Sequence, residues 1–286
     1  MKKSTILHLR IPFSFFLLPV FLFSCAVAES VNWFNFWLVF FILHVLIYPA
    51  SNGFNSYFDK DEKSIGGLKN PPPVSKELYW VSLLFDFTGL VLGLLVSLEF
   101  TIMIFVYGLV SKAYSHPLVR LKKYPVSGWL AAGIFQGYFT WLMCYIALTE
   151  TLIMETLSWS IHLPGLLSSV LLLGSYPMTQ IYQHEEDGSR GDLTLSRMLG
   201  IKGTFHFTAL MFSLSMGGFA YFFLTNYSVN VLLLFALFLS PVLIYFGMWY
   251  LRILKDESAA DFASTMRLNF ISAFFLNAFF LTWWLF

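Results

Sequence analysis

Apolar residues fall into long runs at about 11–28, 31–50, 78–98, 100–114, 126–148, 158–182, 204–225, 228–251 and 268–286, separated by short polar stretches. Most are long enough for a helix to cross the hydrocarbon core, and few carry a charge. The pattern predicts an all-α integral membrane protein with about nine transmembrane helices in one bundle. The run from Phe100 to Tyr114 is short, so Lys112 is expected to snorkel at its end. No fixed-period repeat and no soluble domain interrupts the runs, which are joined by loops of about 5 to 27 residues. Residues 1–286 therefore read as one membrane domain.

The polar positions between the runs fix an orientation. With the N-terminus cytoplasmic, Lys2, Lys3 and Arg10 lie inside. Every other basic residue then falls in or beside an inside loop: Lys60, Lys63, Lys69 and Lys76; Lys112, Arg120, Lys122 and Lys123; Arg190, Arg197 and Lys202; Arg252, Lys255 and Arg267. The outside loops offer only Glu29, Glu99, Glu150 and Glu155. This is the asymmetry of a correctly assigned multi-pass protein, and the expected location is a cell membrane, the inner membrane of a bacterium. A competing reading makes the first run a cleaved signal, because Leu22-Phe23-Ser24-Cys25 loosely resembles a lipoprotein cleavage site. The later topology is the same either way, and the first helix is expected to be retained.

Composition narrows the classes. Hydrophobic residues make up 58% and charged ones 12%, which excludes a soluble globular fold. A net charge of +1 provides no basic field for nucleic acid. Cys25 and Cys144 lie in separate apolar runs without metal-ligand spacing and read as small core residues.

Chemistry gathers in two inside loops, residues 51–77 after the second helix and 183–203 after the sixth. If the second helix continues into the first loop, Asn55, Asp59 and Glu62 share a face, and Gly66-Gly67 with Pro71-Pro72-Pro73 end it. The second loop holds the three consecutive acids Glu185-Glu186-Asp187, with Gln183 and Asp187 on one face. Carboxylates and amide oxygens without thiolates suit a hard cation such as Mg²⁺, whose shell is completed by phosphate oxygens and water. Two such loops on one membrane face suggest a metal–diphosphate site; the plainer alternative is solvated loops whose acids balance nearby lysines. His184-Glu185 lacks the second histidine of a zinc-protease helix, since position 188 is Gly. A third inside loop, Lys112 to Pro125, is basic and aromatic: either a topology determinant or a set of cations for a leaving diphosphate. Asp86 is an intramembrane acid expected either to handle protons or to find a polar partner, and His44, His162 and Gln136 read as satisfied packing residues.

Asn55-Ser56-Tyr57-Phe58-Asp59 resembles the first aspartate-rich motif of the UbiA superfamily of intramembrane prenyltransferases. Asp187, Gly191, Thr194-Leu195 and Leu199-Gly200 are similar to its second motif and continuation. Tyr114-Ser115 with Pro117, Arg120, Leu121 and Lys122 is similar to the Tyr-Ser segment of the homogentisate and chlorophyll prenyltransferase branches, and Arg10-Ile11-Pro12 to the basic start of the family's first helix. The resemblance implies Mg²⁺-dependent transfer of an isoprenyl group from its diphosphate to a hydrophobic, aromatic acceptor. It implies catalytic roles for Asp59, Asp187 and Lys122, and metal ligation by Asn55, Asp59, Asp61, Glu186 and Asp187. Lys69, Arg120, Lys122 and Arg190 would bind diphosphate, and Arg10, Tyr114 and Ser115 would contact acceptor or substrate. Ser56, Lys63 and Gln183 stand where the family carries acids, which keeps a noncatalytic prenyl-lipid-binding homologue open. A small-molecule transporter is the remaining alternative, opposed by helix interiors that are apolar apart from Asp86 and scattered amides.

Overall fold

Lipid offers no partner to a bare peptide group, so each apolar run must close its own hydrogen bonds as a helix. A computed structural model describes residues 1–286, and it contains no β-strand. We number its nine helical passes α1 (Lys3–Val27), α2 (Trp33–Asp59), α3 (Lys76–Gly93), α4 (Leu98–Ser115), α5 (Pro125–Thr149), α6 (Trp159–Ser189), α7 (Leu195–Asn226), α8 (Val229–Lys255) and α9 (Phe262–Leu285). Eight are long and apolar enough to cross a membrane; α3, which carries Lys76, Glu77 and Asp86, is the other. Consecutive passes pack on one another and α9 returns to α1, closing a ring around a central cavity.

Several passes depart from a regular α-helix, all but α2 where they border that cavity. Arg10 takes left-handed angles (φ 47°) and breaks α1, which continues through a 3-10 stretch, Ile11–Phe16. α2 and α5 widen into π-helical turns at Ile42–Ile47 and Phe135–Phe139. Beyond Pro177, α6 tightens into a 3-10 stretch, Tyr176–Gln183, before its last turn. Such irregular turns are tolerated at membrane depth where they line a cavity or are satisfied by neighbours.

Three expectations are corrected. α2 ends at Asp59, because Lys60 adopts φ 51° and stops the helix. Glu62 is thereby carried off the Asn55–Asp59 face into solvent, while Asp61 turns inward and is buried. Lys112 does not snorkel; its ammonium pairs with Asp86 across α3 and α4 and lies 5.2 Å from the Phe54 ring centroid. An intramembrane acid and base that meet this way neutralise one another. Gln136 lines the central cavity rather than packing in the core, because the π-helical turn re-aims it. His162 does find a partner, its Nδ1 lying 2.7 Å from the Tyr138 hydroxyl.

Helices approach closely where side chains are small. At Gly137 in α5 an added Cβ would lie 2.5 Å from the Ser169 Cα of α6, an overlap with backbone that no rotamer change relieves. Ser169 also satisfies the π-helical turn: its hydroxyl accepts from the Tyr138 N–H at 2.8 Å and donates to the Gly133 carbonyl at 3.0 Å. Gly137→Ala is therefore expected to destabilise the protein by about 1–3 kcal/mol, the usual cost of overpacking. Thermal unfolding in detergent measures this, and an unchanged midpoint would contradict the close α5–α6 approach.

Candidate functional site

The central cavity, of ≈ 380 Å³, has two chemically distinct ends. Its inner end is lined by Arg10, Asn55, Asp59, Asp61, Lys122, Asp187 and Arg190, and its deeper walls by residues such as Phe23, Leu172, Phe219, Leu239 and Phe280. Asp59 and Asp187 each occupy the final turns of a long pass, α2 and α6. The carbonyl end of a helix carries partial negative charge, which disfavours a carboxylate and favours a cation beside it. Two acid-bearing helix ends facing one cavity thus form a concentrated negative field that requires positive counter-charges.

The protein supplies some of these itself. Lys122 Nζ pairs with Asp59 Oδ2, and Arg190 Nη2 pairs with Asp61 and, at 2.8 Å, with Glu186. Asn55 donates its amide N–H to Ser115 Oγ at 2.8 Å, leaving its carbonyl oxygen as an acceptor. Glu186 ties the two acidic loops together, its Oε1 accepting from the Glu62 N–H at 3.0 Å and the Lys63 N–H at 3.4 Å. Gln183 adds a second tie, donating to the Ser64 carbonyl at 3.1 Å. Burial, and next the Asp59 carboxylate, push the Asp61 carboxyl above its ordinary value despite the opposing Arg190.

Arg120 stands just behind this set. It donates Nε to Asp192 Oδ1 at 2.8 Å and Nη2 to Asp192 Oδ2 at 2.7 Å, a bidentate fork, and Nη2 lies 3.5 Å from Asp59 Oδ1. Donating these hydrogen bonds to the Asp192 carboxylate holds the Arg120 guanidinium above its ordinary value. Asp192 is only 1% exposed, and it reaches Arg120 because Gly191, at φ 73°, reverses the chain after α6. Arg10 reaches the cavity from α1, donating to the carbonyls of Gly66 at 3.0 Å and Asn52 at 3.4 Å. The Tyr114 hydroxyl is hydrogen-bonded to that of Tyr176, both at the cavity wall.

The residues marked by sequence thus fall into three groups. Arg10, Asn55, Asp59, Asp61, Tyr114, Ser115, Lys122, Asp187 and Arg190 line one cavity. Glu186 and Arg120 lie beside it, held by Arg190 and Asp192. Lys69 does not line the cavity and is exposed beyond the Gly66-Gly67 turn. Lys63 likewise faces solvent, paired with Glu185 at 2.6 Å. Asp192 and Tyr176 were not singled out from sequence; for Asp192 the available signal was an acid directly after a glycine turn.

The donor set fits a hard divalent cation. Oδ1 of Asp59, Oε2 of Glu186 and Oε1 of Gln180 are buried oxygens without hydrogen-bond partners. No three His, Cys, Asp or Glu side chains converge to ligand distance by themselves, so phosphate and water oxygens would have to complete the shell.

A model of the UbiA prenyltransferase family matches residues 16–278. Among solved structures, a UbiA homolog from Archaeoglobus fulgidus bound to GPP and Mg²⁺ superimposes with a TM-score of 0.69 at 16% identity, covering 99% of this chain and 100% of that one. The same homolog bound to Cd²⁺ gives 0.67 at 16% identity with the same coverage. A digeranylgeranylglyceryl phosphate synthase structure gives 0.63 at 19% identity, covering 99% of each chain. No curated protein sequence matches.

Removing one member of a buried ion pair leaves the other uncompensated, at a cost of about 3 kcal/mol or more. Asp192→Ala is expected to lose stability on that scale in detergent unfolding, and the Arg120→Met, Asp192→Leu double variant to recover most of it. Wild-type stability in the single variant would show that the pair does not hold the second acidic loop.

Proposed function

The chain belongs to the UbiA prenyltransferase family, and from that premise we propose that it transfers an isoprenyl group from an isoprenyl diphosphate to a hydrophobic, ring-bearing acceptor within a bacterial inner membrane. All of residues 1–286 would act as one catalytic domain. The observation that supports this reading most is a single cavity that carries Asp59, Asp61 and Asp187 with Lys122 and Arg190 at its inner end and aromatic and aliphatic walls below. A donor has the same polarity: a multiply charged head on an apolar tail.

Asn55, Asp59, Asp61, Glu186 and Asp187 are the proposed metal ligands. Mg²⁺ bound there supplies positive charge that neutralises the diphosphate and favours its departure. The chain's own cations do the rest of the electrostatic work. Lys122 and Arg190 exchange their carboxylate partners for phosphate oxygens, and Arg120, fixed by Asp192, adds charge from behind Asp59. As the carbon–oxygen bond breaks, its electron pair stays on the diphosphate, where these preset charges are worth far more than in bulk water. The allylic carbon, left electron-poor, bonds to the acceptor, which then loses a proton. Apolar walls exclude water that would otherwise capture the carbon, and Tyr114, Ser115 and Arg10 border the space an acceptor would take.

One observation favours a second reading, a homologue that binds prenyl lipids without turnover. Ser56, where the family carries an acid, is buried and its hydroxyl has no hydrogen-bond partner.

Purified protein with Mg²⁺, labelled isoprenyl diphosphates and membrane extract separates the two. Release of diphosphate is expected, falling by about 10²–10³ in Asp59→Ala and in Asp187→Ala, the scale of losing one preorganised charge in an active site. Tight binding with no release in the wild type would favour the noncatalytic reading, and no binding at all would overturn both.

A further inference from the structure

The far end of the cavity is closed by aromatic rings drawn from four helices. Phe23 of α1 stacks on Phe280 of α9 with ring centroids 4.5 Å apart. Phe219 of α7 lies 5.7 Å from Phe23 and 4.8 Å from Phe235 of α8. All four are at most 2% exposed, and all four line the cavity. Behind them stand Phe223, Phe279 and Trp283, with Phe223 at 5.2 Å from Phe235 and Phe279 at 5.1 Å from Phe280, so the rings have no space to retreat into. These rings form a floor.

The floor lies at a definite depth. From Ile11, beside the charged end, the 3-10 stretch and the α-helix after it climb about 20 Å to Phe23. The walls between are buried or half-buried except at Leu243 of α8, which is 41% exposed. A head group held at Asp59, Asp61 and Asp187 therefore points its tail into a chamber with a fixed end.

We infer that this chamber limits the donor to isoprenyl chains that fit between the charged end and the floor, about 20 Å apart, and that Phe219 and Phe280 are the residues that set the limit. The inference rests on the donor reading above. It deepens that reading by excluding long polyprenyl diphosphates. Its physical basis is steric. A prenyl tail in lipid is already in an apolar solvent, so a longer tail gains little from entering the protein, and hydrophobic affinity cannot select chain length. Only a wall can, because close-packed rings have no volume to yield. Units beyond the floor would have to displace the Phe23–Phe280 stack or be forced out between helices.

Binding of geranyl, geranylgeranyl and solanesyl diphosphates is measured by calorimetry on the full chain in lipid nanodiscs with Mg²⁺, alongside inorganic diphosphate. In the wild type, geranylgeranyl diphosphate is expected to bind about tenfold or more tightly than the solanesyl compound, the scale on which a pocket wall discriminates. Phe219→Ala and Phe280→Ala should narrow that gap to about threefold or less. Ala273→Phe, which fills the wall about 10 Å nearer the charged end, should lose geranylgeranyl but keep geranyl diphosphate. Inorganic diphosphate should bind all variants equally, which certifies that the head-group site is folded. If the alanine variants fail to fold, Phe280→Leu and Ala273→Phe carry the test in opposite directions. Equal wild-type affinity for all three donors, or ratios unmoved in folded variants, would overturn the length limit while leaving the donor reading intact. A wild type that binds none of them, inorganic diphosphate included, would overturn the donor reading itself.

Discussion

Charges buried at one end of an apolar cavity must neutralise each other before anything else about the structure can hold. In a medium of low dielectric an unpaired carboxylate or guanidinium costs several kcal/mol, and pairing recovers that only with close geometry. The inner end of this bundle meets most of the requirement with short-range partners: Lys122 for Asp59, Arg190 for Asp61 and Glu186, and Asp192 for Arg120. Apart from Arg190–Glu186, which lies within one stretch at the end of α6, each pair joins two segments: the loop before α5 to the end of α2, the end of α6 to the residues just after α2, and the loop before α5 to the turn that follows α6. The same contacts that solve the electrostatic problem therefore tie three inside loops into one structure, and Glu186 adds to this by accepting from the backbone of the first acidic loop.

The helices themselves sharpen that problem. Ending α2 on Asp59 and α6 close after Asp187 aims two negative helix ends at the cavity, where ordinary capping would place a base. A fold organised for stability alone would gain nothing from this. It becomes intelligible if a strongly positive guest is to be received there, and buried oxygen atoms of Asp59, Glu186 and Gln180 lack hydrogen-bond partners. The left-handed residues Arg10, Lys60 and Arg120 serve the same end, since each stops or turns its segment beside the charged cluster.

Hydropathy and charge made the helical passes and the two acidic loops legible, because lipid imposes one requirement on every residue of a span and the requirement is periodic and strong. Asp59, Asp187 and Lys122 were legible from residue type, spacing and family resemblance, and they do line one cavity. What escaped depended on single backbone angles. Lys60 at φ 51° decides that Asp61 rather than Glu62 faces inward, and Gly191 at φ 73° decides that Asp192 meets Arg120. Lys69 looked as good a cation as Lys122, yet the turn at Gly66-Gly67 leaves it in solvent. Lys112 near a helix end resembled a snorkelling residue until the packing of α3 on α4 put Asp86 within its reach. Spacing within one helix predicts a shared face; it cannot predict which charge another segment will present.

The pairing also bears on how a charged guest could enter. Were a cation alone to take Asp59 and Asp61, Lys122 and Arg190 would lose their partners and remain buried as uncompensated charges. Were a diphosphate alone to take the two bases, the carboxylates would be left in the same state. Either half-exchange carries the penalty of a broken buried pair, whereas arrival of both together replaces every lost contact with another of the same sign. Under the proposed function, metal and diphosphate affinities are thus coupled by the protein's own ion pairs, each guest binding better in the presence of the other. The resting pairs act as a placeholder for the substrate complex, compensating Asp59, Asp61, Lys122 and Arg190 until cation and anion arrive as one unit.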